Sequence, residues 1–411
     1  MTSQLDISRA ALLMVDLQRD FIDSDGALAR TRFSELTDDE RVSLIARWQE
    51  IVQLVRAAGR PIVWVTTVLR ADAADSSLAD SWHRPRREAA GPFLVDGSRG
   101  AQIIDGIGAE ADDYVIEKKG HSAYTDTPLD RLLSNLGVEQ CIVAGGGAED
   151  SISETSRTGG RLAYEQFVIE DALYPARDAN LRIVRSTAEL ISTDDLRSAI
   201  NDSRLAADEP GPDFAMVLVD MQNDFMNNDS AHVKMGLTKP MPNEARSGII
   251  NATLDVMRAV RERGWPVLYV RVVRRGDNLD DVHTRTHRRQ RTVPTGLTHC
   301  VEGTQGAEIV AELEPSYGDF IIEKKGGSSF GYTPLHRILR NLNVRRLLVT
   351  GGATTGCVWA TVLDGVAMGY EITVVGDATC PAEPTGREML KAWCDVRPAA
   401  EVVAQLGAIP A

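Results

Sequence analysis

The fold is decided by VLVDMQNDF (217–225) and by its earlier counterpart, LLMVDLQRDF (12–21). Each is an apolar run that ends in an aspartate and a Gln-x-Asp-Phe turn, so Asp16 corresponds to Asp220, 204 residues later. A short Val/Leu/Met run that stops at polar residues predicts a buried strand. The same strand signature at two places in one chain predicts an internal repeat.

A second pair of segments keeps this register. The segment VIEKKGHSAYTDTPL (115–129) matches IIEKKGGSSFGYTPL (321–335), which pairs Lys118 with Lys324 at a spacing of 206 residues. Both begin with a short apolar run that delivers charged residues at its end. Each is therefore a second predicted strand end that carries a lysine.

A third pair contains a glycine-rich turn. The segment VAGGGAEDSISET (143–155) matches VTGGATTGCVWAT (349–361), so Ser151 stands where the second copy has Cys357. The spacing is again 206 residues. A register that shifts by only two residues across three motifs indicates duplication of a whole domain.

The fold class follows from how the elements alternate. In each half, short Val/Ile/Leu runs alternate with longer amphipathic stretches, which is typical of a parallel sheet with crossover helices. We therefore predict two tandem three-layer α/β/α domains, each with a mainly parallel Rossmann-like sheet. The domains are expected at 1–205 and 212–411, with a boundary in the Pro- and Gly-containing segment SRLAADEPGPDFA (203–215).

The pattern in the second half predicts five strands and four helices. The strands are expected near 215–220, 266–273, 319–323, 345–351 and 371–376. The helices are expected near 243–263, 333–342, 357–369 and 384–394.

The composition is that of an ordinary globular protein, with 43% hydrophobic and 25% charged residues. A net charge of -14 argues against nucleic acid as a partner, and no segment calls for a membrane. The N-terminal sequence MTSQLDISRA shows no signal or transit features, so a cytoplasmic location is expected. The five cysteines form no CxxC pair, which argues against a disulfide framework.

Three reactive side chains follow predicted strand ends in the second half: Asp220, Lys324 and Cys357. The carboxyl ends of parallel strands share one edge of the sheet, so the three are expected in one crevice. There Cys357 is a candidate nucleophile, whose thiolate the start of the following helix would favour. Asp220 is a candidate base, and Lys324 a candidate group to orient it. Each residue alone has an ordinary structural role, and only their joint placement favours chemistry.

On these motifs the chain resembles the isochorismatase-like cysteine hydrolases. That superfamily includes nicotinamidases, N-carbamoylsarcosine amidohydrolase, ureidoacrylate amidohydrolases and isochorismatases. The resemblance covers both halves and rests on VLVDMQNDF, EGTQGAEI (302–309), EKKGGSSFGYTPL and GGATTGC, in the family's order. It implies that Asp220 is the general base, Cys357 the nucleophile and Lys324 the third catalytic member.

The resemblance also implies details of the glycine-rich turn. A non-proline cis peptide bond is expected between Gly352 and Ala353. The backbone amides of Ala353 and Cys357 are the expected donors to an oxyanion.

Three further residues are candidates for contact with substrate. Gln222 and Phe225 match family positions that line the pocket, and Trp359 either lines it or packs in the core. The arginine-rich stretch at 271–291 is a solvated loop, or it supplies one arginine for a substrate carboxylate. The sequence does not select that arginine.

The first half keeps Asp16 and Lys118 but has Ser151 at the nucleophile position, beside Glu149 and Asp150. A hydroxyl is harder to ionise than a thiol, and the adjacent acids oppose a developing oxyanion. We therefore expect a degenerate domain that serves as a built-in partner in a pseudo-dimer, with further homo-oligomers left open. Because isochorismatases proper can lack the cysteine, Ser151 alone does not prove inactivity.

Nicotinamidases of that superfamily carry an Asp-x-His motif and a further His after the second strand, which makes a metal site an alternative for this chain. Asp281, Val282 and His283, with His287, look similar. They lie beyond the predicted strand end among arginines, which repel a cation. No metal and no cofactor are expected.

The predicted function is hydrolysis of a C–N bond in a small amide, ureide or carbamoyl compound, through a thioester and without a cofactor. A carboxylate-bearing substrate is one option. Two alternatives stay open: a vinyl-ether hydrolase of the isochorismatase type, and a non-catalytic binding or scaffold protein.

Overall fold

Each half of the chain folds around one six-stranded sheet whose strand pairs are all parallel. This computed structural model describes residues 5–28, 31, 36–77, 80–175, 177–202, 214–277, 280, 298–380 and 384–409. Contacts divide the chain into two compact units, Met1–Asp208 and Glu209–Ala411.

The first unit has the sheet order β3-β2-β1-β4-β5-β6. Its strands are β1 Ala10–Val15, β2 Ile62–Thr67, β3 Tyr114–Lys118, β4 Gln140–Gly146, β5 Glu165–Tyr174 and β6 Glu189–Ile191. Its helices are α1 Arg19–Ile22, α2 Asp38–Ala57, α3 Asp80–Ala90, α4 Leu129–Asn135, α5 Ser153–Arg161, α6 Asp178–Arg185 and α7 Thr193–Asp202.

The second unit repeats this order as β9-β8-β7-β10-β11-β12. Its strands are β7 Phe214–Val219, β8 Val267–Val272, β9 Phe320–Lys324, β10 Arg346–Gly352, β11 Glu371–Cys380 and β12 Asp395–Arg397. Its helices are α8 Asn223–Met226, α9 Ala231–Lys234, α10 Asn243–Glu262, α11 Leu335–Asn341, α12 Trp359–Ala367, α13 Pro384–Leu390 and α14 Ala399–Ala408.

The prediction of two tandem three-layer α/β/α domains is confirmed, with differences at the C-terminal end. The sequence pattern missed β12 and α14, and it extended the helix that ends at Leu390 to residue 394. A three-residue edge strand has too few residues to show a hydrophobic period. The expected boundary segment, 203–215, falls almost wholly outside the described residues. No helix in the described part of the chain is both long and apolar enough to cross a membrane.

The three layers follow from the alternation of side chains along fully buried strands. All six residues of β1 are buried. Leu12 and Met14 belong to one apolar cluster with Trp48 of α2, whereas Leu13 belongs to another with Leu133 of α4. Successive side chains of a strand point to opposite faces, so the sheet is covered by helices on both sides.

A glycine near the end of each central strand permits close approach to its neighbour. Gly351 of β10 has φ +114°, and a Cβ on it would lie 1.9 Å from the carbonyl oxygen of Val219. Gly145 of β4 has φ +127° and the same relation to Val15, at 2.1 Å. Only glycine fits at these two positions. They lie at the edge of each sheet where the repeated sequence motifs follow the strands.

We expect Gly351→Ala to destabilise the protein by about 3 kcal/mol or more, because a methyl group would overlap Val219 and the φ angle is unfavourable. Gly407→Ala, in an exposed position of α14 with nothing near the added methyl, should instead stabilise by about 0.5–1 kcal/mol. Urea unfolding of both variants tests this. Equal stabilities of the two variants would contradict it.

Candidate functional site

Asp220 directly follows β7 and lies at the carboxyl edge of the second sheet. Its backbone adopts φ 55°, and its amide donates to the carbonyl of Val270 at 2.8 Å. The residue is 1% exposed. A left-handed conformation outside glycine is uncommon, and it turns the chain sharply at the strand end so that the carboxylate is held inside the protein.

Lys324 is the last residue of β9, and it is as buried as Asp220. Its Nζ lies 2.9 Å from Oδ2 of Asp220 and donates to the carbonyls of Gly326 and Gly327 at 3.2 and 2.8 Å. Burial opposes the charged form, but the charges of Asp220 and Cys357 raise the pKa of Lys324. A buried ammonium therefore persists beside a buried carboxylate.

Cys357 lies in a π-helical turn, Thr354–Val358, between β10 and α12. The carbonyl of Ala353 accepts from the amides of Gly356 and Val358 at 2.9 and 3.1 Å, which wraps the turn around the cysteine. The Gly352–Ala353 peptide bond is cis, as the resemblance implies. Turns of this kind often occur at functional sites.

The surroundings of Cys357 oppose ionisation of its thiol, although the start of the following helix favours the thiolate. Burial and the neighbouring Asp220 carboxylate raise the pKa of Cys357 to about 12, against the opposing effect of the Lys324 ammonium. The peptide dipoles at the helix start do not outweigh removal from water beside a negative charge. After burial, the Asp220 carboxylate is thus the neighbour that most opposes ionisation of this thiol.

Gln222 supports the site rather than lining it, which corrects the expectation from its sequence position. The side chain is 0% exposed. Its Oε1 accepts from the amide of Val272 at 2.8 Å, and its Nε2 donates to the carbonyls of Val272 and Ala307 at 2.7 Å each. The amide group is thus committed to joining β8 to the segment that follows Cys300.

Phe225 and Trp359 have different surroundings. The partly exposed Phe225 ring packs edge-on against His232 and His299, with centroids 5.0 and 5.7 Å apart. Trp359 begins α12 and packs against the apolar cluster on one face of the sheet, which favours its core role.

Sequence reasoning missed a buried basic group beside Phe225. Arg274 is 2% exposed, and its Nη1 lies 2.8 Å from Nε2 of His299. The rings of His299 and His232 are 4.9 Å apart. Burial and the Arg274 charge lower the pKa of His299 to about 3 and that of His232 to about 4. The arginine-rich stretch was the available signal, but it did not single out Arg274.

The rest of the arginine-rich stretch is ordinary surface where it is described. Arg271 pairs with Glu308 and Glu323, and Arg275 pairs with Asp277. Residues 281–297 lie outside the described part of the chain, and with them the candidate ligands Asp281, Val282, His283 and His287 and the arginines from 285 to 291. Among described residues, no group of three His, Cys, Asp or Glu side chains is placed to hold a metal.

The first domain brings Asp16, Lys118 and Ser151 together, but the hydroxyl of Thr67 forms additional hydrogen bonds with the lysine and the aspartate. Lys118 Nζ donates to Asp16 Oδ2 at 3.0 Å and to Ser151 Oγ at 3.2 Å. Thr67 Oγ1 accepts from the same Nζ at 2.7 Å and donates to Asp16 Oδ1 at 2.8 Å. Thr67 ends β2 as Val272 ends β8, so the second domain has no hydroxyl at this position.

In the first domain the backbone amide that corresponds to one expected oxyanion donor already donates to an acid, Asp150. Oδ1 of Asp150 accepts from the Ser151 amide at 2.6 Å, and Oδ2 accepts from Nε1 of Trp82 at 2.6 Å. The Gly146–Gly147 bond is trans, with Gly147 at φ 72°. The Ser151 amide corresponds to that of Cys357, and Asp150 to Gly356. In the first crevice an internal carboxylate therefore occupies one expected oxyanion donor.

The fold and this Asp–Lys–Cys arrangement define an isochorismatase-like α/β hydrolase. The isochorismatase domain model matches the chain twice, over residues 10–195 and 214–402. The chain therefore belongs to the isochorismatase family of hydrolases, as a tandem duplication.

Individual relatives match one domain's length. The chain is 34% identical over 173 residues to a probable inactive nicotinamidase from Arabidopsis thaliana, covering 41% of this chain and 82% of that protein. It is 32% identical over 176 residues to the ureidoacrylate amidohydrolase RutB from Klebsiella pneumoniae, covering 41% and 74%. A crystal structure of an isochorismatase family protein from Desulfovibrio vulgaris is 30% identical, covers 48% of this chain and all of that one, and gives a TM-score of 0.41.

We expect the rate of Cys357 alkylation by iodoacetamide to keep rising at pH values where an ordinary thiol is already fully ionised, because the pKa of Cys357 is raised. Asp220→Asn removes a negative charge and should lower that pKa. Peptide mass spectrometry follows Cys357 separately, with Cys380, whose pKa burial alone raises to about 11, as the internal control. An alkylation midpoint below pH 8 for Cys357 would contradict the raised pKa and indicate that the helix start stabilises the thiolate.

Proposed function

We propose that the second domain is a cysteine-dependent hydrolase that cleaves the C–N bond of a small amide, ureide or carbamoyl compound. The observation that carries the proposal is the buried Asp220–Lys324 ion pair in contact with the Cys357 thiol. One carboxylate, one ammonium and one thiol share this crevice, and the first two are buried. No cofactor is needed for this chemistry.

In the first half-reaction, Asp220 takes the proton of Cys357, and the sulfur attacks the carbonyl carbon. The thiolate that forms faces the Lys324 ammonium, which stabilises it. The backbone amides of Ala353 and Cys357 donate to the oxygen that becomes an oxyanion. When the tetrahedral species collapses, the C–N bond breaks and the amine leaves with the proton from Asp220.

In the second half-reaction, Asp220 is again ionised and takes a proton from water, which attacks the thioester. The C–S bond breaks, the sulfur regains its proton from Asp220, and the acid product leaves. Lys324 holds the carboxylate in place throughout, and its charge keeps the Asp220 anion stable in a buried position. The two steps return every group to its starting state.

For the first domain we propose a structural role, with no turnover of the same kind. The Asp16 carboxylate is bonded to Thr67 as well as to Lys118, and the Ser151 amide is bonded to Asp150. Both the base and one oxyanion donor are therefore already engaged. We propose that this domain serves as the built-in partner of the second domain in a pseudo-dimer.

We expect Cys357→Ala and Cys357→Ser to reduce turnover by about 10³-fold or more, because no thioester can form with either at a useful rate. Ammonia release over a panel of primary amides, ureides and carbamoyl acids measures this. Ser151→Ala is the matched control in the first domain and should leave turnover unchanged. Near-normal ammonia release by both Cys357 variants would contradict the thioester and support direct attack by water that Asp220 activates. No release from any compound would contradict C–N bond hydrolysis and favour the vinyl-ether hydrolase or the binding protein.

Placing the sulfur in the first domain should not be sufficient for activity. In a Cys357→Ala background, Ser151→Cys alone is expected to give no ammonia release, because Asp150 still occupies the amide and Thr67 still holds the base. Adding Asp150→Gly and Thr67→Val, the residues of the second domain, should produce measurable release. Activity from Ser151→Cys alone would show that the two contacts do not close the crevice.

A further inference from the structure

The crevice of the first domain has an apolar wall. Phe21 and Leu28 line it together with Asp16 and Ser151. Leu28 belongs to a small buried apolar cluster with Phe93, and Phe21 packs against that cluster. This wall lies on the side of the crevice reached from the Gln-x-Asp-Phe turn.

The second domain keeps the phenylalanine of the turn as Phe225 but has basic residues at the other positions of this wall. Asp20 accepts from the amides of Ala27 and Leu94 at 3.0 and 2.7 Å. Asp224 accepts from the amides of Ala231 and Cys300 at 3.0 and 2.7 Å. Since the residue after Ala27 is Leu28 and the residue after Ala231 is His232, these two correspond. Leu94 and Cys300 correspond because their amides donate to the matching aspartates. The residues that precede them, Phe93 and His299, therefore correspond as well.

A third replacement adds a charge. Leu69 forms an isolated bridge with Val95, and Arg274 forms the same bridge with Val301. Arg274 therefore stands where the first domain has leucine. Its amide donates to the carbonyl of Cys300 at 2.9 Å, which fixes it next to His299. We call Phe225, His232, His299 and Arg274 the basic wall.

The basic wall borders the reactive groups of the second domain. Cys300 adjoins His299 in the chain and is fully buried. Burial, and then the charge of Asp220, raise the pKa of its thiol, and Arg274, Asp224 and Cys357 also act on it. Cys300 also shares a small buried apolar cluster with Val272, the residue of β8 that pairs with Lys324, and Phe225 packs against that cluster. The wall therefore adjoins the strand end that carries Lys324.

The chemistry of the basic wall suits an anion. The guanidinium is always charged and is a donor only, so Nε2 of His299 accepts from it and the His299 proton resides on Nδ1. His232 Nδ1 lies 3.2 Å from Oγ1 of Thr238, a group that can supply a proton and leave Nε2–H of His232 as a donor. An imidazole N–H with a guanidinium behind it is suited to a carboxylate.

We propose that the basic wall binds a carboxylate at the non-reacting end of the substrate, with His232 as the direct donor. Arg274 is a positioning residue that holds His299 and supplies charge. This inference rests on the proposed function for the identity of the reacting end, and it narrows the substrate to an amide, ureide or carbamoyl compound that also carries a carboxylate.

Binding tests the proposal without requiring turnover. In a Cys357→Ala background, calorimetry compares N-carbamoylglycine with its uncharged amide, N-carbamoylglycinamide. The carboxylate compound is expected to bind at least about tenfold more tightly, in line with one charge-assisted hydrogen bond. His232→Leu, the first-domain residue, should remove the preference, and His232→Gln, which keeps an N–H donor, should retain part of it. His121→Leu, the same change in the first crevice, is the matched control and should leave the preference intact.

The outcomes separate the two proposals. Equal affinity for both compounds, no binding of either, or a preference that His232→Leu leaves unchanged would overturn the role of the basic wall. A preference that depends on His232 supports it. If that preference is present while the protein with Cys357 releases no ammonia from either compound, hydrolysis fails and the carboxylate subsite stands.

Discussion

The buried ion pair between Lys324 and Asp220 is the interaction on which the second site depends. Lys324 ends β9 and Asp220 follows β7, and β8 lies between these two strands. The long lysine side chain must therefore cross one strand to reach the carboxylate. Each charge alone would cost several kcal/mol to bury, and removing one partner would leave the other uncompensated. The parallel sheet makes the pair possible, because it brings three strand ends to one edge.

The middle strand decides what that pair can do. Val272 ends β8 and offers no polar atom, whereas its counterpart Thr67 bonds to both members of the first pair. In the first domain the lysine, the acid and the serine form a saturated network, which is a stable structural arrangement. In the second domain we propose that the corresponding acid, Asp220, takes the proton of the Cys357 thiol. Two nearly identical scaffolds thus differ through a few side chains at the sheet edge.

The sequence predicted the features that depend on local pattern and topology. A hydrophobic run that stops at Asp220 or before Lys324 marks a strand end, and parallel strands bring such ends together. The features it missed depend on contacts between distant positions. The bond that the Ser151 amide donates to Asp150 lies against Gly147, where a Cβ would stand 2.4 Å from Oδ1 of Asp150. The basic wall joins residues 67 positions apart at His232 and His299.

We propose that covalent chemistry occurs in the second crevice alone, at the sulfur of Cys357. It is tested most directly by acid quenching during turnover of an amide substrate, followed by mass mapping of the peptides that contain Cys357 and Ser151. An acyl group on the Cys357 peptide, with the Ser151 peptide unmodified, is the expected result. An acyl group on the Ser151 peptide would contradict the claim.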